Sequence, residues 1–291
     1  MVPCIIPFDD AGEIDGQKLH RFICWLVEKG VHSLFPFGTF GGGPLLDAKE
    51  KQYAAEIIIE AVDGRIPVVF HVAGENTRSA CTLAKHLQRL GAAALASVPP
   101  LYYKFSPEAV RSYYQALLDV AEVPVFAYNF PAAVGYGLSP EQVAELAAMG
   151  IAGIKDSSND LNWFVQAMNT VADDKFTWFT GNTPLLVPAA LMGAHGCTAA
   201  SANSFPEFTV EVWQATVLGD FELAAKLQKR LTALTALQNQ GLPMATVYAM
   251  TFLRGIDIGL PRAPIQAMGE ESRRLLENNL RKLKFLEKRQ N

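Results

Sequence analysis

The sequence has few of the features that mark secreted or membrane proteins. No hydrophobic run approaches the roughly 20 residues that a membrane-spanning helix needs. Residues 1–10 lack the basic segment and the cleavage site of a secretory signal. The cysteines are far apart and form no C-x-x-C pair, which argues against a disulfide framework; they are Cys4, Cys24, Cys81 and Cys197. We therefore expect a cytoplasmic protein with no membrane contact.

An excess of charge of one sign is also missing. The chain has 25 Lys and Arg against 29 Asp and Glu, a formal net charge of −4, and no run of basic residues before the extreme C-terminus. Such a chain shows no basic patch that would bind the phosphate backbone of DNA or RNA, so we expect no nucleic acid partner. Half of its 291 residues are hydrophobic, which is enough to bury one large core without disulfides or a metal.

Short apolar runs alternate with helical patterns along the first 200 residues. Eight runs occur, and none alternates polar with apolar residues as a half-solvated strand would. This pattern indicates an α/β protein built from repeated βα units with a parallel sheet. The count favours a (β/α)8 TIM barrel, although a doubly wound open sheet has the same local pattern. The predicted strands are Cys4–Pro7, Ser33–Phe37, Val68–His71, Ala94–Val98, Val123–Tyr128, Gly153–Lys155, Phe176–Thr180 and Cys197–Ala200.

The strand pattern stops after about residue 220. Leucines spaced by three and four from Leu223 to Leu237 mark one face of a helix. Two further helices are predicted at Met244–Arg254 and Glu270–Lys288. We expect the barrel, with any catalytic site, to occupy residues 1–220, and residues 221–291 to form a C-terminal helical appendage packed on it.

Lys155 ends the apolar run 151–154, where the sixth predicted strand meets its loop. In a barrel of this kind, reactive groups lie at the carboxyl ends of the strands. Desolvation there favours the neutral amine, which is the form that attacks a carbonyl carbon. A surface lysine paired with Asp156 fits this segment equally well.

Tyr128 ends the preceding predicted strand, 27 residues earlier. Adjacent parallel strands would place its phenol near Lys155, where it could carry a proton to and from a carbinolamine. A core tyrosine with a hydrogen-bonded hydroxyl is the alternative interpretation. The histidines, including His71 at the end of the third predicted strand, show no metal-ligand spacing, so we expect no metal. Imine chemistry at Lys155 would need no organic cofactor either.

A glycine-rich turn, Gly38–Gly43, follows the second predicted strand. Its backbone N–H groups could receive a carboxylate, and Thr39 could add a hydroxyl. A phosphate-cradling loop is the competing interpretation, but the turn lacks the G-K-[ST] ending of a nucleotide loop.

Four separated segments in order resemble the dihydrodipicolinate synthase and N-acetylneuraminate lyase superfamily. They match its G-T/S-T-G-E turn, P-P-x-Y, Y-N-x-P and G-x-K-D motifs at residues 38–42, 99–102, 128–131 and 153–156. The resemblance implies a Schiff-base lysine, an acid/base tyrosine, and a hydroxyl relay through the turn threonine and a tyrosine of a neighbouring subunit. Carried over by motif, these catalytic residues are Lys155, Tyr128, Thr39 and Tyr102. The substrate-binding residues it implies are Gly38, Thr39, Phe40, Gly181 and Ala199.

The chain departs from the superfamily pattern at informative positions. Phe40 replaces the second hydroxyl residue of the turn and Gly42 replaces its Glu, so backbone amides would have to hold the substrate carboxylate. Ala133 stands where synthases place an arginine for a second carboxylate. The segments 128–135 and 261–264 are more similar to 2-keto-3-deoxygluconate-type aldolases. Residues 104–106 lack the arginine that holds a substrate phosphate in some of those enzymes.

The resemblance thus implies a class I pyruvate-dependent aldolase acting on an unphosphorylated 2-keto-3-deoxy sugar acid. Its partners would be a small 2-oxo acid and an aldehyde, and its assembly a homotetramer, a dimer of dimers. Three alternatives stay open. They are a dihydrodipicolinate synthase-like enzyme or a 2-oxo acid dehydratase using the same imine, and a 2-oxo acid-binding barrel without turnover.

Overall fold

The computed structural model describes residues 1–74 and 76–287. Its centre is one parallel sheet whose strands follow one another in chain order. The strands are β1 (Val69–His71), β2 (Ala94–Ser97), β3 (Val125–Asn129), β4 (Gly153–Asp156), β5 (Thr177–Thr180) and β6 (Gly196–Cys197). Strand neighbours in sequence are neighbours in the sheet, so this is not the open doubly wound arrangement, in which the strand order reverses.

Helices connect the strands. They are α1 (Gly16–Glu28), α2 (Ala48–Val62), α3 (Thr77–Leu90), α4 (Pro107–Leu118), α5 (Pro131–Val134), α6 (Pro140–Ala148), α7 (Leu161–Thr170), α8 (Leu186–Leu191), α9 (Pro206–Val217), α10 (Phe221–Gln238), α11 (Pro243–Leu253) and α12 (Glu270–Lys282). Three short 3-10 turns lie at Gly43–Leu45, Thr183–Leu185 and Ala200–Asn203. None of the described helices is both long enough and apolar enough to cross a membrane.

The first two of the eight predicted strands do not form strands of the sheet: Ser33–Phe37 forms only isolated bridges, and Cys4–Pro7 forms none. Val2 pairs in parallel with Leu34, and Leu34 pairs in parallel with Val68, so these segments lie beside β1. The Ala199 N–H donates to the Met1 carbonyl at 3.0 Å, so the N-terminal segment also lies beside the residues just after β6. Cys4–Pro7 itself forms no strand, which corrects the sequence prediction. Proline has no N–H to give to a ladder, and prolines at positions 3, 7 and 36 keep both segments short.

The helices begin and end at residues that suit those positions. Gly91 and Gly150 close helical segments with φ of 108° and 109°, a left-handed conformation that glycine adopts at little cost. At the other ends, polar side chains accept hydrogen bonds from the first-turn N–H groups. These caps are Asp15, Asp47, Asn76, Ser106, Ser139, Asp160 and Asp220.

The C-terminal helices pack closely against the rest of the molecule. Gln228 on α10 accepts a hydrogen bond from the Val187 N–H at 3.0 Å and donates to the Thr183 carbonyl at 3.2 Å. The predicted helix 244–254 is observed one residue earlier. The helix predicted from Glu270 begins there but ends at Lys282, earlier than predicted, because residues 283–287 are not helical. Its predicted end, Lys288, lies outside the described residues. The contacts at Gln228 fix α10 beside the loop that follows β5.

Candidate active site

Lys155 and Tyr128 are neighbours because of strand register. In the β3–β4 pair, Tyr128 lies directly opposite Lys155. Side chains at paired positions of a sheet lie on the same face, so both belong to one surface. The Lys155 Nζ lies 3.7 Å from the centroid of the Tyr128 ring and 4.3 Å from that of Phe35. Only 6% of Lys155 is exposed, so the amine is held between aromatic faces away from bulk water.

Asp156 does not pair with Lys155, which excludes the surface ion pair considered from the sequence. Its carboxylate is buried and accepts hydrogen bonds from Asn129 Nδ2 at 2.7 Å and Ser158 Oγ at 2.8 Å. Burial raises the pKa of Asp156 to about 6, against the lowering effect of these hydrogen bonds. Within the described residues, no carboxylate lies within ion-pair distance of Lys155. The Lys155 Nζ therefore contacts ring faces and not a counter-ion.

His71 completes an aromatic cluster with Tyr128 and Phe35. Its ring centroid lies 5.7 Å from that of Tyr128, edge to face. Its Nδ1 lies 3.0 Å from the Phe37 carbonyl, and its Nε2 accepts the Val98 N–H at 3.3 Å. These partners require a proton on Nδ1 and none on Nε2. Burial, reinforced by the Lys155 charge, lowers the pKa of His71 to about 3, so it is a neutral core histidine at pH 7.

A cavity of about 360 Å³ opens over this cluster. Lys155 and Tyr128 both line it. Thr39, Phe40 and Gly181, which the family resemblance indicated as site residues, line it too. Gly181 directly follows β5, and there is no room for a side chain at this position. A Cβ added there would collide with Ser157 Oγ and approach Lys155 Cε to 3.2 Å. The absence of a side chain at Gly181 thus leaves room for the lysine.

Three other residues that the resemblance indicated do not line the cavity. Gly38 and Ala199 are buried and do not line the cavity. Thr198 and Ala200, on either side of Ala199, do line it, because successive side chains of an extended segment point to opposite faces. Tyr102 is 91% exposed and packs edge-on against Tyr103 at 5.0 Å, outside the cavity.

The C-terminal helices form a wall that sequence reasoning missed. Thr235 and Gln238 of α10, together with Asn239 and Met244, line the cavity. The leucine spacing of α10 predicts which face of the helix is buried, but it does not predict which polar residues line the cavity. Among the described residues that line the cavity, Lys155 is the only one with an ordinarily charged side chain.

The glycine-rich turn has a shape that depends on its small residues. Gly42 adopts φ of 64°, and a Cβ added at Gly43 would collide with the Phe37 carbonyl. The Gly43 N–H donates to the Gly38 carbonyl at 3.2 Å, which closes the loop. Thr39 and Phe40 lie at its outer end, facing the cavity. Within the described residues, no group of three or more His, Cys, Asp or Glu side chains could hold a metal ion.

Arg262, from the segment 261–264 that resembles the aldolases, does not line the cavity. Its guanidinium donates to the carbonyls of Gly12 at 2.6 Å and Leu45 at 3.1 Å and forms an ion pair with Glu50 at 2.5 Å. It joins the N-terminal loop, the end of the glycine-rich turn and α2. In this structure the residue connects segments around the site.

The model of the dihydrodipicolinate synthetase family matches residues 1–283. The chain belongs to this family. A 4-hydroxy-tetrahydrodipicolinate synthase of Methanopyrus kandleri is 33% identical over 98% of this chain and 96% of its own length. The Escherichia coli protein named Probable 2-dehydro-3-deoxy-D-pentonate aldolase YjhH is also 33% identical, over 89% of this chain and 86% of its own.

Solved structures agree with the family assignment. YagE, a prophage protein of the dihydrodipicolinic acid synthase family from E. coli K12 in complex with pyruvate, is 29% identical. The two superpose with a TM-score of 0.94 over 98% of each chain. As a member of the dihydrodipicolinate synthetase family, this protein is a class I pyruvate-dependent lyase.

Proposed function

We propose that this lyase is an aldolase that cleaves a 2-keto-3-deoxy sugar acid to pyruvate and a hydroxyaldehyde, or forms it from them. The observation that supports this most directly is the Lys155 amine, held on the Tyr128 ring in a cavity with no other ordinarily charged side chain. The framework we propose is a (β/α)8 barrel over residues 1–220 with a helical appendage over 221–291.

The reaction begins with Lys155. In its neutral form, Nζ adds to the C2 carbonyl of the sugar acid, and loss of water from the carbinolamine leaves a protonated imine. The aromatic faces around Nζ exclude water, which would otherwise solvate the amine. Tyr128 moves the proton that converts the carbinolamine hydroxyl into a leaving water.

Bond cleavage follows from the imine. Tyr128 takes the proton of the C4 hydroxyl, the C3–C4 bond breaks, and its electron pair moves to C3 to give an enamine and free aldehyde. Protonation at C3 and hydrolysis of the imine by water release pyruvate and restore the amine. Condensation is the reverse sequence, so no metal or organic cofactor is needed in this scheme.

The turn that carries Thr39 and Phe40 would hold the carboxylate of the 2-oxo acid. Both residues face the same cavity as Lys155. Phe40 has no hydroxyl, so the backbone N–H groups of the turn and the Thr39 hydroxyl are the donors in this scheme.

The cavity favours an uncharged aldehyde. A phosphate or a second carboxylate on the aldehyde would need a cation, because burying an unpaired charge is costly. Among the described cavity residues the only cation is Lys155, which is used in the imine. An unphosphorylated hydroxyaldehyde therefore fits better than an aldehyde that carries an acid group.

We further propose a homotetramer in the cytoplasm in which Tyr102 acts on a neighbouring subunit. The support for this is the exposure of Tyr102 and its left-handed backbone, with φ of 75°, which projects the loop outward. In such an assembly Tyr102 and Thr39 would complete the relay to Tyr128.

Borohydride reduction in the presence of pyruvate tests the covalent step. Reduction of the imine should leave a 1-carboxyethyl group on the amine, with the corresponding mass increase in the peptide that contains Lys155. Lys155→Ala should not be labelled, and Lys175→Ala, on an exposed lysine, is the matched control that should be labelled normally. Labelling of another residue, or none, would contradict the proposal.

A synthase is the second candidate, supported by the equal identity to the M. kandleri enzyme. It requires an aldehyde with a carboxylate, and the absence of arginine at Ala133 argues against it. Condensation of pyruvate with glyceraldehyde or with aspartate semialdehyde, followed by identification of the products, separates the two activities.

A further inference from the structure

Two buried polar atoms in the cavity wall have no hydrogen-bond partner among the described residues. They are Thr198 Oγ1 and Gln238 Oε1. Each residue is only 3% exposed, and each lines the cavity that contains Lys155. Buried polar groups are nearly always paired, because an unsatisfied one costs on the order of 1–3 kcal/mol. Two residues of one cavity wall therefore have hydrogen-bonding capacity that no described residue uses.

The chemistry of the two atoms restricts the ligand. An amide carbonyl oxygen such as Gln238 Oε1 can only accept a hydrogen bond, so its partner must be a donor. Carboxylate, phosphate and aldehyde oxygens only accept at neutral pH and cannot fill this role. An ammonium group could donate but would bring an unpaired charge into the cavity. A neutral hydroxyl can donate to Gln238 Oε1 without bringing a charge, and Thr198 Oγ1 can both donate to and accept from such a group.

Thr235 provides a contrast on the same helix wall. It also lines the cavity and is also buried, but its hydroxyl donates to the Leu231 carbonyl at 3.0 Å. Its hydrogen-bonding capacity is thus used within α10. A threonine that lines this cavity can thus find a hydrogen-bond partner within the protein. The missing partner of the Thr198 hydroxyl is specific to its position.

We propose that Thr198 and Gln238 form a hydroxyl-binding pair that selects polyhydroxylated aldehydes over aldehydes without hydroxyl groups. The pair holds the neutral, hydroxyl-bearing half of the substrate while Lys155 holds the 2-oxo acid half. This inference rests on the proposed aldolase function, since it assigns the aldehyde to this cavity. It assigns a substrate-recognition role to α10, outside the predicted barrel.

The test compares two aldehydes with the full-length protein. Condensation with pyruvate is measured for glyceraldehyde and for propionaldehyde, which lacks the hydroxyls, and the ratio of their kcat/KM values is the readout. The near-isosteric variants Thr198→Val and Gln238→Met should each lower this ratio by about 10- to 100-fold. The loss should fall on glyceraldehyde, with propionaldehyde unchanged or improved. Thr235→Val is the matched control and should keep the ratio within about twofold of the wild type.

Two further measurements separate recognition from folding. Thr198→Ser keeps the hydroxyl and should retain the ratio. Replacing an unsatisfied buried polar group with an apolar one removes its desolvation cost, so Thr198→Val and Gln238→Met should melt at or above the wild-type temperature. If both variants are folded and the ratio stays unchanged, the pair has no role in selection.

Borohydride trapping of pyruvate is run on each protein in parallel. Trapping on Lys155 with an unchanged aldehyde ratio overturns the hydroxyl-binding pair and leaves the aldolase proposal standing. Absence of trapping in the wild type overturns the aldolase proposal, and this inference with it.

Discussion

The Lys155 amine lies against the face of the Tyr128 ring, with Nζ 3.7 Å from the ring centroid. A contact with the ring face depends on the aromatic electrons and not on the hydroxyl. The same side chain therefore has two separable functions. Its ring shields the amine from water, and its hydroxyl is available for proton transfer.

Replacing Tyr128 with phenylalanine should separate these two functions. Tyr128→Phe keeps the ring over Lys155 but loses the proton-transfer group, so kcat for pyruvate release should fall by about 10²- to 10⁴-fold. The KM should change little, because the bound carboxylate and the amine are untouched. Steady-state kinetics measures both constants.

Tyr128→Leu is the companion variant, because it also removes the ring. Borohydride trapping should survive in Tyr128→Phe at a reduced rate and fall further in Tyr128→Leu. Equal trapping rates in the two variants would mean that the ring face does not matter to the amine.

Gly181 should be sensitive to a single methyl group. In Gly181→Ala the new Cβ would collide with Ser157 Oγ and press on Lys155 Cε, displacing the amine from its position. A misplacement of about 1 Å can cost on the order of 100-fold in rate, so we expect a loss of that size in kcat/KM. The folded state should persist, since the closest contact is with a side-chain oxygen, and the Asp156 carbonyl oxygen is approached only to 3.1 Å.

A second-site change provides the control for Gly181→Ala. Ser157→Ala removes the oxygen with which the new methyl collides, so the double variant should recover part of the lost activity. If Ser157→Ala alone is nearly as active as the wild type and the double variant stays as inactive as Gly181→Ala, the collision is not the cause.

The sequence predicted the pairing of Lys155 and Tyr128 well, for a physical reason. Each residue ends an apolar run that predicts a buried strand, and strands joined by one helix usually lie side by side in a parallel sheet. Their adjacency was therefore expected from chain order in the barrel that the strand count favoured. The β4 prediction was one residue short of the observed strand, which is a typical boundary error.

The sequence could not predict the cavity wall contributed by α10. Gln238 lies about 80 residues after Lys155 and comes near it only through helix packing, which periodicity does not fix. The prediction of a strand at Cys4–Pro7 was wrong because an apolar run does not show which of its residues pair, and Pro3 and Pro7 have no N–H to give to a ladder.

Arg262 should contribute to stability more than to catalysis. Its guanidinium holds the Gly12 and Leu45 carbonyls and the Glu50 carboxylate at once. The positive charge and hydrogen bond of Arg262 also lower the pKa of Glu50. Arg262→Ala should lower the free energy of unfolding by about 2 kcal/mol, the order expected for charge-assisted hydrogen bonds. Urea denaturation measures this.

Arg262→Lys tests the geometry of that contact. An ammonium group keeps the charge but cannot form the planar fork, so it should recover only part of the loss. Full recovery would show that charge alone matters. The Lys155 trapping rate should stay within a few-fold of the wild type in both variants, because Arg262 does not line the cavity.

His71 should stay neutral well into the acid range. Its folded-state pKa of about 3 is below the ordinary 6.5, so as pH falls below 6.5 the unfolded chain takes up the proton and the folded chain does not. Stability should therefore decrease from pH 6.5 downward, by about 2 kcal/mol at pH 5 from this group. Nitrogen-15 NMR should show the Nδ1-protonated neutral ring of His71 unchanged between pH 8 and pH 5. A titration near pH 6.5 would contradict the assignment.

Asp156 should produce the opposite dependence. Its folded-state pKa of about 6 lies above the ordinary 3.8, so the folded chain holds the proton more tightly than the unfolded chain. The stability that this group contributes is complete below pH 3.8 and is lost as pH rises through 6. At pH 7 the cost of the buried charge reaches about 3 kcal/mol.

Asp156→Asn removes the charge while keeping an oxygen for Asn129 Nδ2 and an amide for Ser158 Oγ. Its melting temperature relative to the wild type should rise steadily between pH 4 and pH 7. A difference that does not change with pH would show that Asp156 does not titrate in this range.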